Sequence, residues 1–159
     1  MNRIEPQGAY RPAVLHGSTV VSAGMTPRGP DGNLLSQQHV GGDGLSVAAA
    51  AELAHAACGR AVEACRQALP PGARLVEALV LTVYLRTGPD FDAHSRVADG
   101  ASLAIREQLG GDEPARAVVG VFSLPGRAPL ELQLTCSWTP SARAGRRRTV
   151  AAARSSRSG

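Results

Sequence analysis

The sequence predicts an α+β domain in which a mixed sheet of about six strands carries two helices on one face. Two stretches place apolar residues at helical spacing, and the segments around them are rich in Val, Leu and Thr. Strands precede the first helix, one strand separates the helices and two strands follow, an order typical of α+β folds. Because the helices cover only one face, a second molecule is needed to bury the other, and an oligomer is expected.

The N-terminal part predicts two short strands and a long loop. The strands span 11–16 and 18–24, and His16-Gly17 supplies the turn between them. Residues 25–44 are rich in Gly and Pro and predict a loop with one further short strand at 33–36. A loop of this length is typical of segments that carry function or contact a partner.

A helix is predicted over 46–69, with Ser46 as its N-cap and an Ala-rich apolar stripe. Pro70-Pro71-Gly72 ends it. The next run, 75–87, is almost continuously apolar, which predicts a central strand covered on both faces.

The second helix is predicted over 92–109. Asp92 is the expected N-cap, and Gly110 follows the last helical residue. Gly100 lowers helix propensity within this segment, so its presence predicts a close contact with another element.

The last two strands, 115–124 and 129–138, each carry one charge that an ordinary core strand would not have. The charges are Arg116 and Glu131, on either side of a Leu-Pro-Gly turn. If the strands pair as a hairpin, both charges lie in one small region of the sheet. A guanidinium matches a carboxylate through two parallel hydrogen bonds, and a carboxylate can hold and activate water. The pair therefore predicts a site for a small acidic molecule.

Charge divides the chain into a domain over 1–140 and a tail over 141–159. The tail holds six arginines and no acid, whereas arginines and acids nearly balance in the rest. We expect the tail to be disordered and solvated. It has no aromatic residue on which a base could stack, so nucleic acid is not an expected partner.

Other sequence features favour a cytoplasmic protein without cofactors. No apolar run approaches the length of a membrane span, and the N-terminus does not resemble a signal peptide. The four histidines show no metal-ligand spacing, so neither a metal nor an organic cofactor is expected. The three cysteines fit no ligand or redox motif, and we expect them to be small buried residues; they are Cys58, Cys65 and Cys136.

Four segments in order resemble the RidA (YjgF) family, which has a chorismate-mutase-like fold. The similarity runs from about Gly8 to Trp138 and is closest to a longer-chained subgroup. The segments are Gly8-Ala9-Tyr10, the run VVSAGMTP at 20–27, Asp90-Phe91 with VADGAS at 97–102, and PARAVVG at 114–120 with Leu124-Pro125 and Leu130-Glu131.

The resemblance implies a homotrimer with pockets in the clefts between subunits. It implies an enamine or imine deaminase that hydrolyses small 2-imino or 2-enamino acids to 2-keto acids and ammonia. By the same resemblance, Arg116 holds the substrate carboxylate and Glu131 positions the attacking water. Tyr10 lies near the pocket mouth, and the backbone of Gly24 faces the ligand.

Three positions depart from the family pattern. Ala23 replaces a serine and removes a hydroxyl beside the expected ligand, and Val118 replaces a frequent cysteine. Asp99 stands where many relatives have asparagine, so it adds a negative charge opposing an anionic ligand. These departures leave the substrate open.

Duller structural roles compete with each functional one. Arg116 fits an ion pair at a subunit interface, Glu131 fits a solvent-facing charge or a partner of Arg127, and Asp99 fits a solvated charge. Two other functions also stay open. One is a tailoring enzyme of a biosynthetic pathway acting on a carboxylated intermediate in the same pocket, and the other is a non-enzymatic trimer that binds a small metabolite.

Overall fold

The computed structural model describes residues 3–140, and the tail predicted over 141–159 lies outside them. The described part contains five strands and two α-helices. In chain order they are β1 (Ala13–His16), β2 (Thr19–Ser22), α1 (Val47–Ala68), β3 (Arg74–Arg86), α2 (His94–Leu109), β4 (Ala115–Val121) and β5 (Leu130–Thr139).

The strands form one mixed sheet in the order β1-β2-β5-β3-β4. β3 and β4 are parallel and joined through α2, whereas the other neighbours are antiparallel. The α+β class and the mixed sheet are confirmed, but residues 3–140 contain five strands, not six. The strand expected at 33–36 is replaced by an isolated bridge between Leu34 and Arg28.

The last two strands do not form the expected hairpin. β3 lies between β4 and β5 and pairs with both. The chain instead crosses from β4 to β5 through a short 3₁₀ turn at Pro125–Arg127. β3 is long and apolar enough to take the central position, which leaves β4 at the edge of the sheet.

Helix α1 forms where its alanine density and cap predict it. The Ser46 hydroxyl accepts a hydrogen bond from the Ala49 backbone N–H at 3.1 Å, which confirms the N-cap. Its buried face packs on the sheet and consists of small residues, namely Ala50, Ala54, Ala57, Cys58, Ala61, Val62, Ala64 and Cys65. All three cysteines are buried free thiols, as expected.

Helix α2 begins two residues later than expected. Ala93 is at the N-cap, without a side-chain cap, so the prediction of Asp92 was wrong. The reason is local, because a turn closes from the Phe91 N–H to the Gly88 carbonyl, and the Phe91 ring packs edge-on against His94. These contacts keep residues 88–93 out of the helix.

The two helices pack closely against each other through a small-residue contact. A Cβ at Gly100 would overlap the backbone carbonyl oxygen of Ala51 on α1. The close contact predicted from this glycine is therefore confirmed. At the other end of α2, Gly110 adopts a φ of 66° and ends the helix, as expected.

The sheet has one covered face and one bare face. Side chains under the helices are fully buried, among them Leu81, Val83 and Leu85 of β3. On the opposite face, Val76 and Val80 remain nearly half exposed. The expectation that β3 is covered on both faces is therefore not met within one chain.

No helix within residues 3–140 is long and apolar enough to cross a membrane.

Candidate functional site

Arg116 lies on the edge strand β4, in register with the buried Leu81 of β3. Residues in register point to the same face, so its side chain lies on the helix side of the sheet. The Nη1 group donates to Asp99 Oδ1 and to Ser102 Oγ, both at 2.9 Å. For Nε and Nη2, no partner is found within residues 3–140, so two guanidinium groups stay available to a ligand.

A cavity of about 540 Å³ adjoins this guanidinium, and its lining holds two balanced ion pairs. Asp99 pairs with Arg116 at 2.9 Å, and Glu113 pairs with Arg106 at 3.2 Å. The Asp99 side chain is 65% exposed, so water screens its interaction with Arg116. Arg116 is thus partly neutralised by its own chain yet still faces an open cavity.

Glu131 lies on β5, on the sheet face opposite the helices, and is half-buried. The bridge between Met25 and Leu132 places Gly24 directly beside it. A Cβ at Gly24 would overlap Glu131 Oε1, so the carboxylate occupies space that only a glycine leaves free.

Burial raises the pKa of Glu131 above its ordinary value, because the charged form loses hydration. No hydrogen bond or ion pair to this carboxylate is found within residues 3–140, and Arg127 does not pair with it there. A half-buried carboxylate without a partner is suited to accept a proton from water.

The Glu131 carboxylate opens into a cavity of about 410 Å³. Tyr10 is exposed at this cavity, and its hydroxyl accepts a hydrogen bond from the Gln7 N–H at 3.1 Å. Ala23 lies in the lining and presents no polar side-chain atom. The full lining comprises Gln7, Tyr10, Arg11, Ala23, Gly24, Thr26, Arg28, Pro125 and Glu131.

The six candidate residues therefore occupy two separate cavities of one chain. Arg116 and Asp99 share the first, whereas the other four line the second. Because β3 lies between their strands, Arg116 and Glu131 are separated by about 10 Å across the sheet and about 10 Å along it. Their side chains also point to opposite faces, so the single region expected from a hairpin does not exist within one chain.

Sequence reasoning missed several residues in both cavities. Ser102 lies one helical turn after Asp99, a spacing that could have placed it beside Arg116. Thr26 and Arg28 lie in the Gly/Pro-rich loop whose length predicted a function, and Arg11 directly follows Tyr10. Within residues 3–140, no group of three or more His, Cys, Asp or Glu side chains could hold a metal ion.

Solved structures resemble this fold closely, whereas sequence comparison finds nothing. No family model matches the chain, and no curated protein matches it. A protein of unknown function from Agrobacterium tumefaciens superposes with a TM-score of 0.71 at 25% identity, covering 81% of each chain.

Two Escherichia coli proteins connect the fold to a family. The YjgF gene product superposes with a TM-score of 0.56 at 22% identity, over 83% of this chain and 90% of that protein. TdcF with bound serine superposes with a TM-score of 0.57 at 22% identity, over the same shares of the two chains. The resemblance predicted from four sequence segments is thereby confirmed, and the chain has the fold of the RidA (YjgF) family.

Proposed function

We propose that this protein is a RidA-type enamine or imine deaminase that converts small 2-imino acids to 2-keto acids and ammonia. The observation that carries the proposal is the half-buried Glu131 carboxylate, which lies unpartnered within residues 3–140 against the backbone of Gly24. The bound serine of TdcF supports a small amino-acid-like ligand for this fold.

The two cavities support a site completed by a second copy of the chain. Arg116 borders one cavity and Glu131 another, and neither cavity contains both groups. A homotrimer in which the β4 edge of one subunit faces the Glu131 cavity of the next would bring them together. The bare sheet face supports such an assembly, because it exposes apolar side chains that include Val76, Val80 and Val119.

In this site, the free Nε and Nη2 of Arg116 hold the substrate carboxylate through a pair of hydrogen bonds. Glu131 accepts a proton from water while the water oxygen bonds to the imine carbon. The proton then passes to nitrogen, the carbon–nitrogen bond breaks and ammonia leaves. One water is consumed and no oxidant or reductant is required. The chain contributes orientation and one proton acceptor, which suits an already electrophilic carbon.

A coupled assay tests the proposal. An amino-acid lyase or oxidase generates imino acids in situ, and loss of the imine is followed with and without the protein. We expect Glu131→Gln to lower kcat by about a hundredfold or more, with KM little changed. Arg116→Ala should raise KM by about ten- to a hundredfold, because hydrogen bonds to a charged group are lost.

Matched variants control for surface charge. Glu52→Gln and Arg96→Ala change exposed residues outside both cavities, and each should retain wild-type kinetics. A wild-type rate equal to background with every imino acid would overturn the deaminase. Saturable binding of an imino-acid analogue without turnover would instead establish the metabolite-binding trimer.

A further inference from the structure

A third cavity, of about 470 Å³, lies beside the Glu131 cavity and carries three arginines. It is enclosed by the N-terminal segment, the loop around 28–32 and helix α1. Its cationic residues are Arg3, Arg28 and Arg60, and none of the six candidate site residues lines it. A site for an anion is therefore suggested by charge alone, and its neighbours decide whether the charge is free.

The arginines are not neutralised by ion pairs. No salt bridge to Arg3, Arg28 or Arg60 is found within residues 3–140. The Nε of Arg60 is buried and has no hydrogen-bond partner there. Such an orphaned donor is costly unless a partner reaches it, which marks it as a group prepared for a ligand.

The two acids of this cavity do not cancel the arginines. Both Asp31 oxygens are occupied by Asn33, one by its backbone N–H at 3.0 Å and the other by its side-chain amide at 2.7 Å. Glu5 is the other acid in the lining, so three cations face two carboxylates.

Arg28 and Arg60 also repel each other. Desolvation and the nearby charge of Arg28 both lower the pKa of Arg60. An anion between the two guanidinium groups would relieve this repulsion and supply the missing partner of Arg60 Nε. The Arg28 guanidinium is held in place by bonds from Nε to Thr26 Oγ1 at 3.1 Å and from Nη1 to the Gly32 carbonyl at 2.7 Å.

We propose that Arg28 and Arg60 form a binding site for a phosphate group in the cavity beside the Glu131 pocket. Guanidinium groups match phosphate oxygens through paired hydrogen bonds, and two of them balance the phosphate charge. Arg28 lines both cavities, and a narrow space between them is bordered by Tyr10, Gly24 and Thr26. The phosphate therefore comes either from free inorganic phosphate or from a phosphorylated metabolite whose other end reaches Glu131.

Calorimetric titration with inorganic phosphate at constant ionic strength tests the site without any turnover. This readout does not depend on the proposed deaminase. We expect saturable binding to the wild-type full chain, and binding at least about tenfold weaker for Arg28→Gln and for Arg60→Gln. Arg74→Gln removes an exposed arginine outside the cavity and should bind like the wild type.

Thermal melts keep the test decisive if Arg60→Gln folds poorly. Phosphate should raise the Tm of the wild type and leave the Tm of Arg28→Gln, a loop variant, nearly unchanged. A second titration with O-phosphoserine against serine separates the two sources. Tighter binding of O-phosphoserine than of phosphate assigns a phosphorylated metabolite, and equal binding assigns free phosphate. Non-saturating heats, or equal affinity in all four proteins, would overturn the site.

Discussion

At the scale of single residues, the environments of Glu131 and Arg116 differ in the way that their proposed roles require. Glu131 is half-buried, and its carboxylate is without a partner in the described part of the chain. Arg116 is held by Asp99 and Ser102 through Nη1 alone, which orients the guanidinium while leaving its other two donor groups for a ligand. A base with a raised pKa and an oriented cation are thus both present, on separate cavities.

The raised pKa of Glu131 predicts a pH profile. The carboxylate is the active form, so kcat should fall as pH drops through a value above the ordinary 4.5. Glu131→Gln should lack this acidic limb in whatever activity remains. An unchanged limb in the variant would assign the titration to another group.

The same pKa predicts a stability effect with a definite sign. A group whose pKa is raised in the folded state favours folding most below its unfolded pKa, and this contribution is lost as pH rises through the folded pKa. Glu131→Gln should therefore be more stable than the wild type at pH 7, with the difference shrinking near pH 4. Urea denaturation at both pH values measures this, with Glu52→Gln as the exposed control.

Asp99 predicts a change in affinity. Asp99→Asn keeps an acceptor for Arg116 but removes the competing charge. We expect KM for a carboxylated substrate to fall about two- to fivefold, as the loss of a largely exposed ion pair would allow. Asp92→Asn, also on the surface, is the matched control. An increase in KM would show instead that the Asp99 charge is needed to position Arg116.

At the scale of elements, small residues let the helices approach each other and the sheet. Ala-rich α1 packs its buried stripe on β5 and β2, while Gly100 of α2 lies against the backbone of Ala51. The edge position of β4 follows from the parallel β3–α2–β4 unit, and this position presents Arg116 at the border of the sheet.

Gly100→Ala should destabilise the fold, although alanine is the better helix former. The added methyl would overlap a carbonyl oxygen of the neighbouring helix backbone, which has little room to move. We expect a loss of about 1–3 kcal/mol in the free energy of unfolding, measured with urea. Gly88→Ala adds the same methyl where no atom lies within 4 Å, and should change stability by less than about 0.5 kcal/mol.

At the scale of the whole molecule, the fold presents two partial sites and one bare sheet face. A closed ring of three identical subunits would join each Arg116 cavity to the Glu131 cavity of its neighbour, because a heterologous contact repeats around the ring. Light scattering on the full chain should give three times the mass of one chain. A monomer at working concentration would remove the basis for a shared site.

Subunit mixing tests whether the site is shared. Arg116→Ala and Glu131→Gln should each be nearly inactive alone. Random equal mixing should recover about a quarter of wild-type activity, since that fraction of interfaces pairs two intact residues. Each variant remixed with itself is the control. No recovery in verified mixed trimers would place both groups of a site in the same subunit.

The sequence by itself determined the local elements and the class of the fold. Ser46, Pro70 and Gly110 mark helix ends through backbone chemistry that acts within a few residues, and each marker was correct. Asp92 failed because a turn and the packing of Phe91 against His94 outweighed capping propensity.

Only the tertiary structure decided which charges meet. Strand order depends on long-range packing, and β3 entered between β4 and β5 because its apolar length suits the centre of the sheet. That insertion separated Arg116 from Glu131, brought Gly24 against the Glu131 carboxylate and placed Arg28 near Arg60. Contacts between residues distant in the chain leave no periodic trace in one sequence, which is why the pairing of these groups required the fold.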